Sequence, residues 1–144
     1  MDELVAVARE AVADAYAPYS EFSVGAAVET AEGAVYAGCN VETVNYSNSL
    51  HAEEVAVGKA LSAGHRRIER VAVSGAAKEG LRPCGMCRQT LVEFGDEDAT
   101  VLCDEGEGET PSTYTLGELL PHTMSPDDLD AEPGTAVERE RDGD

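Results

Sequence analysis

Basic residues are scarce in this sequence of 144 residues. Ten Lys and Arg stand against 29 Asp and Glu, which gives a formal net charge of −19, and Lys59 and Lys78 are the two lysines. Affinity for polynucleotides and anionic membranes comes largely from Lys and Arg that neutralise phosphates. The composition therefore disfavours nucleic acid and membrane partners and favours a neutral small molecule.

Long apolar runs are also missing. No run approaches the roughly 20 residues that a transmembrane helix needs, and residues 1–3 lack the basic start of a signal peptide. From these features we expect a cytoplasmic protein. The strong repulsion among the acidic side chains is tolerable where salt screens it, since the Debye length falls to about 3 Å at molar ionic strength. We therefore hypothesise a salt-adapted cytoplasm.

The length suits one ordinary domain, which we place at residues 1–125. Beyond Ser125 the composition shifts to Asp and Glu, interrupted by Pro133 and Gly134. Such a segment has too few apolar residues to bury, so residues 126–144 are predicted to form a largely disordered acidic tail.

Hydrophobic periodicity predicts helices that alternate with strands. The predicted helices cover residues 2–16, 52–63, 84–93 and 116–120, and the predicted strands cover residues 22–30, 34–40, 70–75, 100–103 and 112–115. The first two strands are predicted to form a hairpin. This order indicates an α/β layered fold with a mixed β-sheet.

Two of the four cysteines stand in a metal-binding pattern. Cys84 and Cys87 are spaced i, i+3, which places both sulfurs on one face of a helix. The chain is neither small nor evidently secreted, so metal binding is favoured over disulfides. Cys39 and Cys103 lie in apolar, strand-like contexts and are predicted to be small buried hydrophobic residues.

A histidine and an acid complete this pattern upstream. His51 precedes Glu53 by two residues at the head of a predicted helix, and Pro83 precedes Cys84 at the head of another. Three ligands, His51, Cys84 and Cys87, would leave one zinc position to water, as hydrolytic sites do. Glu53 is not needed as a ligand and is predicted to carry protons.

Each half of the pattern, taken alone, also occurs in proteins without a catalytic metal site. Cys-x-x-Cys alone also occurs in redox motifs, and most His-x-Glu pairs are ordinary helix starts. A zincin motif is excluded because it requires Glu directly after His and a second His where Val55 stands. Together, however, the two halves are specific for a catalytic metal site.

On these motifs the chain resembles the cytidine deaminase family. The resemblance extends to residues 15–27, 38–42, 84–89 and 116–121. It implies a three-layer α/β/α cytidine-deaminase-like fold, one Zn²⁺ per subunit and a homotetramer. It also implies hydrolytic deamination of cytidine or deoxycytidine in pyrimidine salvage.

The resemblance further implies a set of substrate-binding residues. Asn40 and Glu42 would hydrogen-bond the ribose hydroxyls, Phe22 would pack against the pyrimidine, and the backbone N–H of Ala52 would contact the base carbonyl. An amide and a carboxylate together suit a sugar edge because they offer both donors and acceptors.

The chain departs from the pattern of compact family members at several positions. Those members usually carry Cys at the position of His51 and Arg at that of Glu54. Because a neutral imidazole replaces a thiolate, the metal centre no longer needs the Arg, and Glu54 is expected on the exposed face of its helix. Arg82 stands where Ser or Thr is usual, and Met124 where Phe is usual in a segment that reaches a neighbouring site. His122 is expected in a surface loop.

Alternative functions remain open at this point. The chain could deaminate another aminopyrimidine, such as a nucleoside antibiotic or free cytosine. It could instead be a structural zinc module with Cys39, Cys103 or His122 as fourth ligand. A nucleic-acid deaminase is the weakest option, because the sequence shows no basic groove.

Overall fold

The computed structural model describes residues 2–129. The predicted acidic tail therefore lies mostly outside the described residues. Its first four residues, Pro126–Leu129, form a 3-10 turn.

Five strands form one mixed sheet. They are β1 (Val24–Thr30), β2 (Val35–Cys39), β3 (Ile68–Gly75), β4 (Thr100–Cys103) and β5 (Ser112–Thr115). Their order across the sheet is β2-β1-β3-β4-β5. β3 and β4 are parallel and the other neighbours are antiparallel, so the predicted mixed sheet is confirmed.

Helices cover both faces of this sheet. They are α1 (Glu3–Ala11), α2 (Ala52–Ser62), α3 (Gly85–Phe94) and the short α4 (Leu116–Leu119). On one face, α1 packs its buried side chains against Ala27, Ala72 and Leu102. On the other face, α2 and α3 bury a larger cluster that includes Val57, Leu91, Val28, Val73 and Cys103. Burial on both faces gives the expected three layers.

The first helix ends earlier than its periodicity predicts. α1 stops at Ala11 instead of continuing to Tyr16, and a 3-10 turn follows it. Tyr16 instead forms a β-bridge with Val41: its N–H donates to Asn40 O at 3.0 Å, and Glu42 N–H donates to Tyr16 O at 2.8 Å. These long-range backbone hydrogen bonds compete with helical ones for the same groups. The predicted helix 2–16 is therefore wrong over its last turn.

Other boundaries differ by one or two residues. β1 begins at Val24 instead of Phe22, β3 begins at Ile68 instead of Arg70, and α3 begins one residue after Cys84. Among residues 2–129, no helix is long and apolar enough to cross a membrane.

A partly buried ion pair joins α1 to the end of β4. Arg9 donates from Nε and Nη2 to the two carboxylate oxygens of Asp104, at 2.8 and 2.6 Å. Ser74 Oγ donates to the same carboxylate at 2.8 Å, and Gly106 N–H donates at 3.0 Å. Hydrogen bonding from Arg9, which has the largest effect, and from Ser74 and Gly106 lowers the pKa of Asp104 to about 2.

The replacement Asp104→Asn is expected to destabilise the protein most at neutral pH. A carboxyl with a folded-state pKa of about 2 stabilises the fold above its unfolded pKa of about 3.9 and loses this effect as pH falls through the folded value. Because Arg9 is partly solvated, we expect about 1 to 2 kcal/mol at pH 7 and a smaller difference from wild type near pH 3. Urea unfolding at both pH values measures this difference.

The exposed Asp98 offers a matched control, since Asp98→Asn should change stability little at either pH. A destabilisation by Asp104→Asn that stays constant between pH 7 and pH 3 would show that the ionised pair contributes nothing specific.

Candidate metal centre and active site

Two helix N-termini carry the predicted metal ligands. His51 is the N-cap residue of α2, and Cys84 is the N-cap residue of α3, with Cys87 one turn further along. Pro83 therefore lies just before the N-cap residue of α3. N-terminal N–H groups and the helix dipoles favour negative charge, so both ends suit thiolates and a developing oxyanion.

The three ligand groups converge. His51 Nδ1 lies 3.2 Å from Cys87 Sγ and 3.2 Å from Cys84 Sγ. All three ligand atoms lie within 4.8 Å of one another. In a tetrahedral zinc site with Zn–S near 2.3 Å and Zn–N near 2.0 Å, ligand atoms are about 3.5 to 3.8 Å apart. The three side chains therefore fit zinc with small adjustments.

Burial supports the same assignment. Cys87 is fully buried, His51 is half-buried and Cys84 is exposed, so the cluster opens to solvent on one side. Burial, reinforced by the charges of Glu53 and Cys84, raises the pKa of Cys87 far above its usual range. A buried thiolate needs a cation to compensate it, and zinc binding supplies that compensation while releasing the proton.

Glu53 lies beside this cluster on the first turn of α2. Its side chain is only 5% exposed, and it is close enough to Cys87 for their side chains to interact. Burial, the dominant effect, raises the pKa of Glu53 above its ordinary value. A buried carboxyl with a shifted pKa next to a ligand cluster is a candidate general acid and base.

Glu54 has a different position from the one predicted. It is half-buried, and its Oε1 accepts a hydrogen bond from the backbone N–H of His51 at 3.0 Å. A glutamate at the third helical position commonly caps a helix in this way. The expectation of an exposed Glu54 was wrong because the residue fixes the start of the helix that carries His51.

Backbone pairing places the predicted ribose-binding segment beside the metal ligands. Val41 and Leu50 exchange backbone hydrogen bonds of 2.9 and 2.8 Å, and Leu50 directly precedes His51. Gly38 of β2 also packs against the first turn of α2, where a Cβ would lie 2.4 Å from Ala52 O. The close approach requires glycine and holds Asn40 next to that turn.

Asn40 holds the chain that enters β1. Its Oδ1 accepts from Val24 N–H at 2.8 Å, and its Nδ2 donates to Phe22 O at 2.8 Å. An amide has two N–H groups and two lone pairs on oxygen. Asn40 therefore keeps one donor and one acceptor for a further partner.

Glu42 is held by the turn before Phe22. Its Oε1 accepts from Tyr19 N–H at 3.0 Å and Ser20 N–H at 3.1 Å, and its Oε2 accepts from Ser20 Oγ at 2.5 Å. Hydrogen bonding, chiefly from the Ser20 hydroxyl, lowers the pKa of Glu42. A carboxylate accepts about four hydrogen bonds, so Oε2 keeps room for one more.

The remaining candidates lie around these groups. Phe22 is half-buried, and Ala52 is the buried first residue of α2, where N–H groups have no acceptor within the helix. Cys103 is buried as predicted and Cys39 is half-buried. Within residues 2–129, the ligand cluster consists of His51, Cys84 and Cys87, and no cysteine or histidine outside those three belongs to it.

Arg82 and Met124 form contacts outside the ligand cluster. Arg82 Nε donates to Tyr114 Oη at 2.9 Å, and its guanidinium lies 5.1 Å from the centre of the Tyr114 ring. These contacts tie the loop before Pro83 to β5. Met124 is exposed, and Gln89 Nε2 donates to its carbonyl at 2.9 Å. His122 is exposed, in agreement with its predicted loop position.

From sequence alone, no structural role was predicted for three residues that shape the site. Gly38 and Ser20 lie inside segments noted for their resemblance, but neither was given a role, and Glu54 was expected to be exposed. A capping-box pattern of a polar N-cap residue followed three positions later by Glu could have indicated Glu54. Nothing in the local sequence indicates the pairing of Ser20 with Glu42.

Comparison with known proteins agrees with this site. A family model described as the cytidine and deoxycytidylate deaminase zinc-binding region matches residues 1–103. A cytidine deaminase of Sporosarcina psychrophila is 38% identical over 129 residues, which cover 90% of this chain and 94% of that protein. A cytidine deaminase of Mycobacterium tuberculosis is 41% identical over 125 residues, covering 87% and 90%.

Solved structures agree as well. The crystal structure of cytidine deaminase from Burkholderia pseudomallei has a TM-score of 0.78 at 39% identity and covers 84% of this chain and 96% of that one. Residues 1–103, which the family model matches, include His51, Cys84 and Cys87. The chain belongs to the cytidine deaminase family.

Proposed function

We propose that this protein catalyses the hydrolytic deamination of cytidine, deoxycytidine or both, releasing ammonia and the corresponding uridine product. The observation that carries the proposal is the convergence of three zinc-type ligands with a buried, non-ligating glutamate. The similar proteins from Sporosarcina psychrophila and Mycobacterium tuberculosis are named cytidine deaminases, which supports the same reaction.

In this proposal His51, Cys84 and Cys87 hold one zinc ion per subunit. Two thiolates and a neutral imidazole balance the charge of Zn²⁺. When bound, zinc lowers the pKa of a coordinated water towards about 7 and so supplies the nucleophile at neutral pH. The open side of the cluster at Cys84 gives the substrate access.

Glu53 moves the protons. Its carboxylate takes one proton from the attacking water and gives it to N3 of the pyrimidine ring. It then takes the second proton from the hydroxyl formed at C4 and gives it to the departing amine, so that ammonia leaves as the C4 carbonyl forms. Burial suits this role, since a carboxyl whose pKa is raised accepts a proton more readily than an ordinary one. In this proposal the N–H groups at the start of α2, including that of Ala52, bind the base carbonyl.

Asn40 and Glu42 supply the ribose contacts. The free N–H of Asn40 can donate to a hydroxyl oxygen, while the free lone pair on Glu42 Oε2 accepts the hydroxyl hydrogen. Their backbone position beside Leu50 brings this pair next to the ligand turn. Phe22, held by Asn40 through its carbonyl, packs against the pyrimidine.

An ultraviolet assay in high salt tests this function. Cytidine, deoxycytidine, their monophosphates and free cytosine are compared with one purified sample, whose zinc is measured in parallel. We expect turnover of one or both nucleosides and about one zinc per chain. Preferential turnover of cytosine would favour the alternative of another aminopyrimidine substrate, and stoichiometric zinc without turnover would favour a structural zinc module.

We propose a role in pyrimidine salvage, which follows from the proposed reaction, and a cytoplasmic location, which the state of the cysteines supports. Cys39, Cys84, Cys87 and Cys103 are all free thiols, and Cys84 is exposed. An exposed cysteine that must stay reduced to bind zinc suits a reducing compartment.

We further propose a salt-adapted protein, and expect folding and activity to fall together as salt is removed. With 29 acidic and 10 basic residues, repulsion between like charges grows as the Debye length rises from about 3 Å at 1 M to about 10 Å at 0.1 M salt. Circular dichroism and cytidine turnover are measured across a potassium chloride series.

Sucrose at equal osmolality provides the control for this series, since an uncharged osmolyte screens no charge. Full folding and turnover at about 0.1 M salt would contradict salt adaptation.

A homotetramer is the proposed assembly. Exposed apolar side chains lie in the segment before His51, where Val44 is 84% exposed, Tyr46 68% and Leu50 47%. Tyr16, which pairs with Val41, is 56% exposed. Several large apolar side chains exposed together are typical of an interaction surface. Light scattering in high salt distinguishes four chains from one.

A further inference from the structure

We infer that Ser20 is a positioning residue for nucleoside binding, because its hydroxyl joins the Glu42 carboxylate to the backbone that carries Phe22. The inference rests on the proposed function of this site. It assigns a role to a residue that contacts neither the metal ligands nor Glu53.

The Ser20 hydroxyl lies between two groups proposed to bind substrate. It donates to Glu42 Oε2 at 2.5 Å and accepts from Phe22 N–H at 3.0 Å. The first bond uses the hydrogen of the hydroxyl and the second uses a lone pair on its oxygen, so one hydroxyl can form both. The bond to the carboxylate is charge-assisted and therefore stronger than a neutral one.

The backbone at this turn needs such support. Glu21, between Ser20 and Phe22, has φ 59°, in the left-handed region that residues other than glycine seldom adopt. Its N–H donates to Ala17 O at 3.0 Å, which closes the turn. An unfavourable conformation persists where its surroundings hold it, and such residues cluster at functional sites. The Ser20 hydroxyl spans Glu21 and holds the exit of the turn.

The side chains of Asn40 and Glu42, which follow β2, hold residues 19–24 from both ends. Glu42 binds the turn at Tyr19 and Ser20, while Asn40 binds Phe22 O and Val24 N–H. Without the Ser20 hydroxyl, Glu42 keeps its two backbone bonds at Oε1, but its Oε2 loses its partner. The oxygen that would accept the ribose hydroxyl is then free to rotate out of place.

The variant Ser20→Ala tests this inference. We expect KM for cytidine to rise about tenfold, since one charge-assisted hydrogen bond no longer fixes the binding group. Turnover at saturation should stay within about twofold of wild type, because substrate and transition state use the ribose contacts alike. Zinc content and thermal midpoint should be unchanged, since Ser20 is exposed.

Two further variants separate this role from a general loss of structure. Ser20→Thr keeps a hydroxyl and should restore a KM close to wild type. Ser23→Ala changes a serine of the same segment whose hydroxyl forms no hydrogen bond within residues 2–129, and should leave KM unchanged.

The outcomes distinguish this inference from the proposed function. Wild-type turnover of cytidine with an unchanged KM in Ser20→Ala would overturn the role of Ser20 and leave the function standing. Lost zinc or a lower thermal midpoint in Ser20→Ala, or no rescue by Ser20→Thr, would equally overturn it. If the wild-type protein turned over no nucleoside, the proposed function would fail, and this inference with it.

Discussion

Replacing Glu53 with glutamine is expected to cut cytidine turnover by about a hundredfold or more while zinc stays bound. The amide has nearly the size of the carboxyl, so it fits a site where Glu53 is only 5% exposed. It cannot accept the two protons of the attacking water, so it cannot deliver one to N3 and the other to the amine. The three ligands, His51, Cys84 and Cys87, are untouched, so the metal should remain. Steady-state kinetics and metal analysis on one sample measure both quantities.

Glu69→Gln is the matched control for this experiment. Glu69 lies exposed on β3, so the variant makes the same chemical change and removes one acidic group away from the site. Its turnover should match wild type. Near-normal turnover in Glu53→Gln would refute the assignment of Glu53 as proton carrier, whereas loss of zinc in that variant would show that Glu53 helps to hold the metal.

The metal centre was the part of the molecule most open to prediction from sequence. Its ligands lie within short, local patterns: Cys84 and Cys87 are one helical turn apart, and His51 and Glu53 share the first turn of α2. Helical geometry alone determines where such side chains lie relative to each other. The layered α/β fold could be predicted for a similar reason, since its periodicities are local and pronounced.

Contacts between distant segments could not be predicted in the same way. The end of α1 depends on the pairing of Tyr16 with Val41, which brings together residues 25 positions apart. The Ser20 contact with Glu42 likewise spans 22 positions. Neither pairing leaves a periodic pattern in the sequence, because it depends on how the whole sheet places the two segments. These contacts determine the backbone around Asn40, Glu42 and Phe22, the residues proposed to bind substrate.

Local sequence was also insufficient to assign the role of a residue that can serve two purposes. The position of Glu54, three residues after a polar N-cap residue, is compatible with a helix cap and with a solvated glutamate. The observed bond to the His51 N–H distinguishes the two. Asn40 and Glu42 were assigned to the ribose by resemblance, yet the structure shows that both also organise the chain around Phe22. A strand-end polar residue can thus serve the fold and the ligand through different atoms.

The ligand role of His51 leads to the second large expected effect. In His51→Ala, zinc content after dialysis should fall well below one per chain, and cytidine turnover should be lost. The remaining ligands are then two thiols, and burial keeps the pKa of Cys87 high unless a metal compensates its thiolate. The thermal midpoint should fall as well, because a metal that binds the folded state stabilises it.

His65→Ala provides the control for this variant. His65 Nδ1 lies 2.5 Å from a Glu32 carboxylate oxygen, beside the hairpin of β1 and β2, so its removal should leave zinc and turnover unchanged. The backbone bond from residue 51 to Glu54 does not need the imidazole, so α2 should still begin at the same place. Zinc loss would then reflect the missing ligand and not a lost helix start. Stoichiometric zinc in His51→Ala would show that Cys84 and Cys87 bind the metal with another partner.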